Sequence, residues 1–429
     1  MELLCLPVAF CHQLYYAVQK TGQVIKSIIV FCFFFCSGFA SQLKAQQQIR
    51  NLSEKLETLG FENVRVLQAG KDVAISMEDN IYRWNVAGIR VALDSIASYA
   101  GDTTFLSIYF LKKDIPQLVV KVPALAWRNY TSRLVSSAEI ADVLQVVYPV
   151  GNDWITLKQI SPLNRSTNKI DFVLYPQFAF HNTPTTPTFE VQLNLAPTIE
   201  VSLWKGMQFT GQVIFPIVNE LGYEGDFIRP GFVILSQDFR LPHQWLGRLT
   251  TGNFNAKHYG VDVSIDHPLQ NNRWSIGLNA GLTGISLFYD GQWFTSDLNT
   301  LTGFGKVGHF YPRFNLQFDL SFGRNLHKAY GFRADCTRHF GETTIGFYVI
   351  CTSSEFDGGF HFSVPLPSYK RNRKHILRLV PPRYYDLEYN AGTVFYYGRY
   401  YETRPNENRS EHWNYPLFIK NEILKNIEK

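Results

Sequence analysis

The sequence is poor in charge, in cysteine beyond its first 36 positions, and in long hydrophobic runs. Charged residues make up 18% of the 429-residue chain, below the roughly 25% that is usual for globular domains. The formal net charge is +5, without a long basic run, so nucleic-acid binding is not predicted. Of the six cysteines only Cys336 and Cys351 lie beyond residue 36. No cysteine or histidine spacing is typical of a metal site, and we expect neither metal nor cofactor.

Catalytic signatures are also missing. The chain has no nucleotide-binding loop, no zinc-protease helix and no nucleophile elbow. Its eleven histidines are scattered, and we predict His361 and His375 on strands, with a structural role. We therefore expect that the protein is not an enzyme. A barrel enzyme acting on lipid or glycan stays an alternative, because a carboxylate pair on polar strand faces could form by chance.

One apolar block is present near the start, in KSIIVFCFFFCSGFASQLKAQ, residues 26–46. Its flanking lysines, short apolar core and small residues predict a secretory signal peptide over residues 1–45. A transmembrane anchor is the alternative, which we disfavour because the core is shorter than the roughly 20 residues of a spanning helix. The phenylalanines before Cys36 argue against lipoprotein processing. The stretch before Thr21 is long for a signal, which leaves open a start downstream of Met1.

Residues 46–124 are typical of a small α/β domain. Apolar residues recur at helical spacing before Gly60 and again over residues 86–96, and each helical pattern precedes two short strand patterns. This predicts the order helix, hairpin, helix, hairpin. Residues 125–168 are less regular, and we interpret them as a linker.

From Lys169 to Tyr397 the pattern is almost entirely strand-like. In FNLQFDLSF, residues 314–322, every second residue is apolar and the residues between are polar. About a dozen such segments follow one another without an amphipathic helix. Their predicted starts lie near residues 170, 189, 208, 231, 244, 259, 273, 301, 314, 330, 343, 358 and 375.

One long segment is RWSIGLNAGLTGISLFY, residues 273–289. Alternation over 11 residues matches the 9 to 11 that a membrane-spanning β-strand needs, and a change of phase after Thr283 predicts a bulge at Gly284. Strands in lipid must pair fully, so we predict a mainly β fold, a transmembrane antiparallel β-barrel of about 12 strands over residues 169–397. A secreted β-sandwich is the alternative. Aromatic residues lie at predicted strand ends, as in the girdles of such barrels: Trp245, Trp274, Trp293, Tyr311 and Tyr330.

The polar residues of these strands are expected to face the barrel lumen. They mix both charge signs with amides, which fits either mutual neutralisation or a polar track for a sugar chain. The predicted lumen-facing residues are Glu190, Gln192, Asn194, Glu200, Asp262, Asp266, Arg273, Asn279, Asn315, Gln317, Asp319, Arg333 and Asp335.

Two more local predictions concern the cysteines and the C-terminus. A hairpin turning near Gly341 places Cys336 opposite about Phe347, so that Cys351 is four residues out of register and both thiols stay free. Residues 398–429 form a polar tail without strand alternation, in which Ser410 caps a short final helix. In this tail we predict ion pairs among Arg399, Glu402, Arg404, Glu407 and Arg409.

Several segments resemble one known family. They are GETTIGFYVICTSSEFDGGFHFSVPLP, LVPPRYYDLEYNAGTVFYYGRYYETRPNENRSEHW, LGRLTTGNFNAKHYGVDVSIDHPL and ISMEDNIYRWNVAGIRVAL. Together they resemble the YjbH-type exopolysaccharide and capsule biosynthesis outer-membrane proteins. The resemblance brings no catalytic residues with it.

That resemblance implies an outer-membrane protein of a Gram-negative bacterium, with its N-terminal domain in the periplasm. It implies a role in export or surface assembly of a polysaccharide, with periplasmic capsule or exopolysaccharide assembly proteins and outer-membrane lipid as partners. A general porin or solute channel is the alternative function.

Overall fold

A computed structural model describes residues 47–148, 152–182, 189–269, 273–352, 356–390, 400–407 and 415–425. The chain divides into two compact units, Met1–Glu54 and Lys55–Lys429. Of the first, only helical residues 47–54 are described, and the predicted signal peptide lies outside the described residues. The rest of this section concerns the second unit.

A small module of five strands, four complete helices and the end of a further helix opens the second unit. Its strands are β1 (Glu62–Ala69), β2 (Asp72–Glu78), β3 (Phe105–Lys112), β4 (Ile115–Pro123) and β5 (Gln145–Val147). Helix α1 covers residues 47–58, and the others are α2 (Asn85–Tyr99), α3 (Ala124–Thr131), α4 (Ser137–Val143) and α5 (Asn152–Leu157). The predicted order of helix, hairpin, helix, hairpin is confirmed.

The sheet of this module follows the order of the chain. β2 and β3 pair in parallel and all other neighbours are antiparallel, because α2 carries the chain back across the sheet between them. The apolar faces of α2 and of strands β3 and β4 are buried, which gives the module an ordinary hydrophobic core.

The range that we interpreted as a linker is more regular than expected. Helices α3 to α5 lie in it, and β5 pairs with β4 to extend the small sheet. These elements are too short for a clear apolar period. The one strong local signal is the capping box at the start of α4, where Ser136 and Glu139 bond to each other's backbone N–H, a pattern readable from the sequence.

The second sheet contains 15 strands and holds most of the chain, so the mainly β prediction is confirmed. Each of the 13 predicted starts lies within two residues of an observed one. The strands are β6 (Ile170–Asn182), β7 (Phe189–Ser202), β8 (Met207–Asn219), β9 (Arg229–Arg240), β10 (Leu246–Asn253), β11 (His258–Pro268), β12 (Trp274–Tyr289), β13 (Gln292–Thr295), β14 (Thr300–Tyr311), β15 (Leu316–Arg324), β16 (Tyr330–Phe340), β17 (Thr343–Thr352), β18 (Phe356–Pro365), β19 (Leu377–Val380) and β20 (Tyr384–Asn390).

The large sheet is a meander in which consecutive strands are antiparallel neighbours from β6 to β18, with β13 attached to the end of β12. The apolar phase of β12 does change after Thr283, since Leu282 and Ile285 are exposed while Thr283 and Gly284 are buried. The predicted bulge is wrong, because β12 stays in continuous register with β11 through Ile285. The change of phase instead coincides with a change of partner on the other side, from β14 to β13.

The cysteine prediction is confirmed. Cys336 lies opposite Phe347 and Cys351 lies opposite Phe332 in the β16–β17 hairpin, and both thiols are free.

The two ends of the strand order come from one short stretch of chain. β19 pairs in parallel with β6, and β20 pairs antiparallel with β18. Only residues 381–383 separate β19 from β20. The pairings described do not close the sheet on itself, so the closed barrel stays a prediction. Among the described residues, no helix is both long enough and apolar enough to span a bilayer.

The small module packs at the end of the large sheet where β6 begins, which we call the proximal end. Arg83 forms a double ion pair with Glu342 of the β16–β17 turn, at 2.6 and 2.9 Å. Lys113, at the β3–β4 turn, lies 3.0 Å from Asp238 of β9. Helix α6 (Pro416–Lys425) lies at the same end, where Tyr130 of α3 donates to the carbonyl of Leu424 at 2.6 Å.

Candidate binding site

The polarity of the large sheet is reversed relative to the small one. Large apolar side chains are exposed strand after strand, including Leu278 at 56% and Phe347 at 68%. Polar side chains on the opposite face are buried, including Thr198, Thr250 and Thr337. A β-strand places successive side chains on opposite faces, so the alternating sequence yields one apolar exposed face and one covered polar face.

Most of the predicted lumen-facing residues lie on this covered face, and several contact one another. The Asn279 amide donates to both oxygens of Asp262 at 2.9 and 3.1 Å. Gln317 donates to Asp319 at 2.6 Å. Arg333 bonds to Asp335 and, 2.9 Å away, to Glu388 of β20. These contacts favour mutual neutralisation over an empty polar track.

Other predicted residues on this face have their own partners. Glu200 accepts from Tyr175 at 2.8 Å, Gln192 donates to Asn219 at 2.9 Å, and Asn194 is buried beside Gln177. Glu190 and Asp266 are half-buried.

Two of the predicted lumen residues lie elsewhere. Asn315 precedes β15 in a left-handed turn with φ near 50°, a conformation that asparagine tolerates better than most residues. Its side-chain amide donates to Glu422 of α6. Arg273 precedes β12 and is exposed. Both residues therefore lie just outside the strands on which they were predicted, and Asn315 is buried.

The C-terminal tail also lies on the covered polar face. Tyr401 stacks on Phe254 with ring centroids 5.2 Å apart, and its hydroxyl donates to Asp262 at 2.7 Å. Further along, the ring of Tyr415 stacks on Phe310 at 5.4 Å, and its hydroxyl donates to Asp319 at 3.3 Å. The two described parts of the tail, residues 400–407 and 415–425, thus both contact the polar face.

Several residues of the ion pairs predicted in the tail lie outside the described residues. Arg399, Arg409 and the capping residue Ser410 lie outside the described residues. Glu402 accepts from the Asn255 amide at 2.9 Å, and Glu407 accepts from the hydroxyl and backbone N–H of Thr403. The contacts described for these two carboxylates are therefore with neutral donors.

A cavity of about 330 Å³ lies between the small module and the proximal part of the polar face. Nine cationic and five acidic side chains line it. The cationic ones are Lys112, Lys113, Lys169, Arg248, Arg371, Arg373, Arg378, Arg383 and Arg404, and the acidic ones are Glu62, Glu78, Asp79, Asp171 and Glu200.

Seven of these fourteen charged side chains form described ion pairs. Arg378 holds Asp171 through two nitrogens, at 2.9 and 2.5 Å, and Arg373 also contacts Asp171. Lys169 lies 2.8 Å from Glu62. Charge-assisted and bidentate bonds of this kind fix geometry as well as charge, so they make the wall of the cavity rigid.

Arg371 and Arg383 differ from the cavity arginines Arg248, Arg373 and Arg378, which are held in ion pairs. Arg371 is only 8% exposed, donates to the carbonyl of Pro381 at 3.0 Å, and has a buried Nε with no hydrogen-bond partner among the described residues. Burial, followed by the neighbouring Arg383 and Arg378, lowers the pKa of Arg371 to about 10. Arg383 donates only to neutral oxygens, Asn85 Oδ1 at 3.3 Å and the Asp79 carbonyl at 3.2 Å.

Two residues of the cavity wall, Asp79 and Trp84, also carry buried polar atoms without a hydrogen-bond partner among the described residues. Asp79 accepts two backbone N–H groups through Oδ1, but its buried Oδ2 has no hydrogen-bond partner among the described residues. The Nε1–H of Trp84 is a buried donor that likewise has no hydrogen-bond partner among the described residues. Burial raises the pKa of Asp79 to about 6, against the opposing attraction of Arg383.

This cavity was missed by sequence reasoning. Three of its six arginines come from the segment KRNRKHILR, residues 370–378, which holds five Lys or Arg among nine residues. This segment is a short, dense basic cluster and not a long basic run. Charge clustering was the available signal, but the acidic partners Glu62 and Asp171 are hundreds of residues away along the chain.

Comparison of the chain with protein-family models, with curated proteins and with solved structures gave no match. Within the described part of the chain, no group of three or more His, Cys, Asp or Glu side chains is arranged to hold a metal ion.

Proposed function

We propose that this protein is an outer-membrane β-barrel that assists exopolysaccharide or capsule biosynthesis, export or surface assembly. The observation that carries the proposal is the reversed polarity of the large sheet. An exposed face bearing Leu278, Leu320 and Phe347 is costly in water but favourable in lipid. The polar groups are kept away from that face, as a membrane-spanning sheet requires.

The strand order supports closure into a barrel. An open sheet in lipid would leave two edges of unpaired N–H and C=O groups. Here both outer strands belong to one run of chain, β19 bonded to β6 and β20 bonded to β18. The rings of Phe180 on β6 and Tyr389 on β20 stack at 4.8 Å. Residues 377–390 are thus suited to seal the ring, with each half pairing to one side.

The aromatic residues support a membrane position for this ring. Trp245, Trp274 and Tyr311 lie at the proximal end, while Tyr330 and Trp293 lie at the other end. Two such belts are typical of barrels whose amphipathic rings sit at the membrane surfaces. We place the proximal end and its small module in the periplasm.

The glycan part of the proposal depends on the resemblance to the YjbH-type family. A general diffusion porin is the alternative, and the tail speaks against it. Tyr401 and Tyr415 occupy the covered polar face and bond to Asp262 and Asp319. A channel for free diffusion needs an open, water-filled interior, whereas this one is partly filled by its own chain.

Fractionation and a surface-glycan assay test the proposal together. The chain should be recovered in the outer membrane with heat-modifiable migration in gels, and deletion of its gene should lower surface polysaccharide. Recovery as a soluble periplasmic protein would contradict the barrel. Unchanged polysaccharide, combined with high single-channel conductance in planar bilayers, would favour the porin.

A further inference from the structure

We propose that the cavity between the small module and the polar face binds an acidic sugar unit, whose carboxylate is held by Arg371 and Arg383. The choice of a saccharide as the ligand rests on the proposed function. The inference that this ligand is negatively charged rests on the side chains that line the cavity.

The charge of the cavity wall points to an anion. Nine cationic side chains face five acidic ones. Asp171 and Glu62 are already occupied by Arg378, Arg373 and Lys169, and Asp238, just outside the wall, takes up Lys113 and Arg248. Among the described residues, Arg371 and Arg383 donate hydrogen bonds only to neutral oxygens, although Asp79 lies close enough to attract Arg383, and Asp171 and Glu200 close enough to attract Arg371.

Arg371 is the most informative of these side chains. A buried guanidinium with an unused N–H is costly to leave without a partner, and Arg371 keeps its Nε in that state among the described residues. The planar fork of arginine matches two oxygens of a carboxylate. A carboxylate in the cavity would supply both the missing charge and the missing acceptor.

The other wall atoms fit the rest of a sugar. A sugar hydroxyl both donates and accepts, and Asp79 Oδ2 and Trp84 Nε1 are an acceptor and a donor without partners in the described chain. Tyr175 and Tyr384 add aromatic surface to the lining. The volume of about 330 Å³ lies at the small end of the range for ligand sites. It therefore suits one or two sugar units and not a longer segment.

Calorimetric titration of the full chain in detergent micelles tests this inference. The probe is a short oligogalacturonate, with a neutral malto-oligosaccharide of equal length and inorganic phosphate as comparisons. We expect binding of the oligogalacturonate alone. Arg371→Gln and Arg383→Gln should each weaken it roughly tenfold or more, since each removes a charge-assisted contact. Arg133→Gln, an exposed arginine outside the cavity, should leave it unchanged.

Several outcomes would overturn the site. They are no binding of the oligogalacturonate, equal binding of the neutral oligosaccharide, tighter binding of phosphate, or unchanged affinity in both cavity variants. Heat-modifiable migration of each variant shows whether it is folded, and Arg383→Gln keeps the test valid if Arg371→Gln does not fold. If the oligogalacturonate fails to bind while gene deletion still lowers surface polysaccharide, the proposed function is retained and the proposed acidic-sugar site is rejected.

Discussion

The two sheets of this protein use the same alternating pattern with opposite results. In the small module Ile108 on β3 is fully buried and the apolar face of the sheet is covered by helices. In the large sheet Leu278 on β12 is 56% exposed while Thr198 on β7 is fully buried. A period of two therefore fixes which residues share a face, but the choice of covered face depends on what surrounds the sheet.

Strand length and covering elements separate the two cases. The small sheet has strands of at most 9 residues next to helices, whereas the large sheet has strands of up to 16. No helix covers the apolar face of the described large sheet, and the tail and α6 lie on the polar one. We interpret the first sheet as built for water and the second as built for lipid.

The largest effect should come from the core of the small module. Ile108→Ala removes a fully buried side chain and leaves a cavity, which should lower the free energy of unfolding by about 2 to 5 kcal/mol. Leu278→Ala is the matched change on the large sheet and should cost less, because lipid or detergent can fill the space. Denaturant unfolding of both variants in the same micelles measures the difference. Equal losses of unfolding free energy would contradict the interpretation that one sheet is built for water and the other for lipid.

A charge on the exposed face of the large sheet should have the next largest effect. Leu320 lies in the middle of β15 and is 49% exposed, so Leu320→Arg should destabilise the assembled protein by roughly 2 to 4 kcal/mol. Gln317→Arg is the control, since its side chain lies on the polar face and arginine keeps a donor for Asp319. The measurement is the heat-modifiable fraction in outer membranes. If Leu320→Arg assembles as well as Gln317→Arg, this face does not meet lipid.

Most elements of both sheets were predictable because their signals are local, but β5 and β20 were not among the predicted strands. Alternation and turn residues placed the strand starts, and the turn at Gly341 alone set Cys336 opposite Phe347. The short β13 was not predicted, and the cause assigned to the phase change in β12, a bulge, was wrong. There the outcome depends on which neighbouring strand pairs with residues 286–289, and a single strand's pattern does not contain that information.

The candidate site was not predictable for a different reason. It brings together Asp79, Asp171 and Arg371, which belong to separate segments of the chain. Their meeting depends on how the small module packs on the proximal end. The sequence showed the basic segment at residues 370–378, but it could not show which of those charges are neutralised and which face the cavity.

Asp79, in the wall of the cavity, should make the stability of the folded protein depend on pH. Its pKa rises from an ordinary 3.8 to about 6 in the folded protein. The folded state therefore favours the protonated acid. Its contribution to stability is complete below about pH 4 and is lost as the pH rises through 6, by up to about 3 kcal/mol. Asp79→Asn mimics the protonated form and should not show this loss.

Thermal unfolding of wild type and Asp79→Asn between pH 4 and pH 7.5 measures this effect. The variant should gain on the wild type as the pH rises, with most of the gain between pH 4 and 6.5. A constant difference across that range would mean that Asp79 is ionised throughout, and it would weaken the assignment of Oδ2 as an unpartnered acceptor.

The smallest effect should come from loosening the tail on the polar face. Tyr401→Phe keeps the ring that stacks on Phe254 but removes the hydroxyl that donates to Asp262 at 2.7 Å. Loss of one hydrogen bond to a carboxylate should cost about 1 to 2 kcal/mol, and a double-mutant cycle with Asp262→Asn isolates that bond. Limited proteolysis reports the same event, because a tail held mainly by this contact becomes cleavable without unfolding of the sheet. If Tyr401→Phe shows no coupling to Asp262→Asn and no new cleavage, the tail is held by its other contacts, of which Tyr415 with Asp319 is the next to remove.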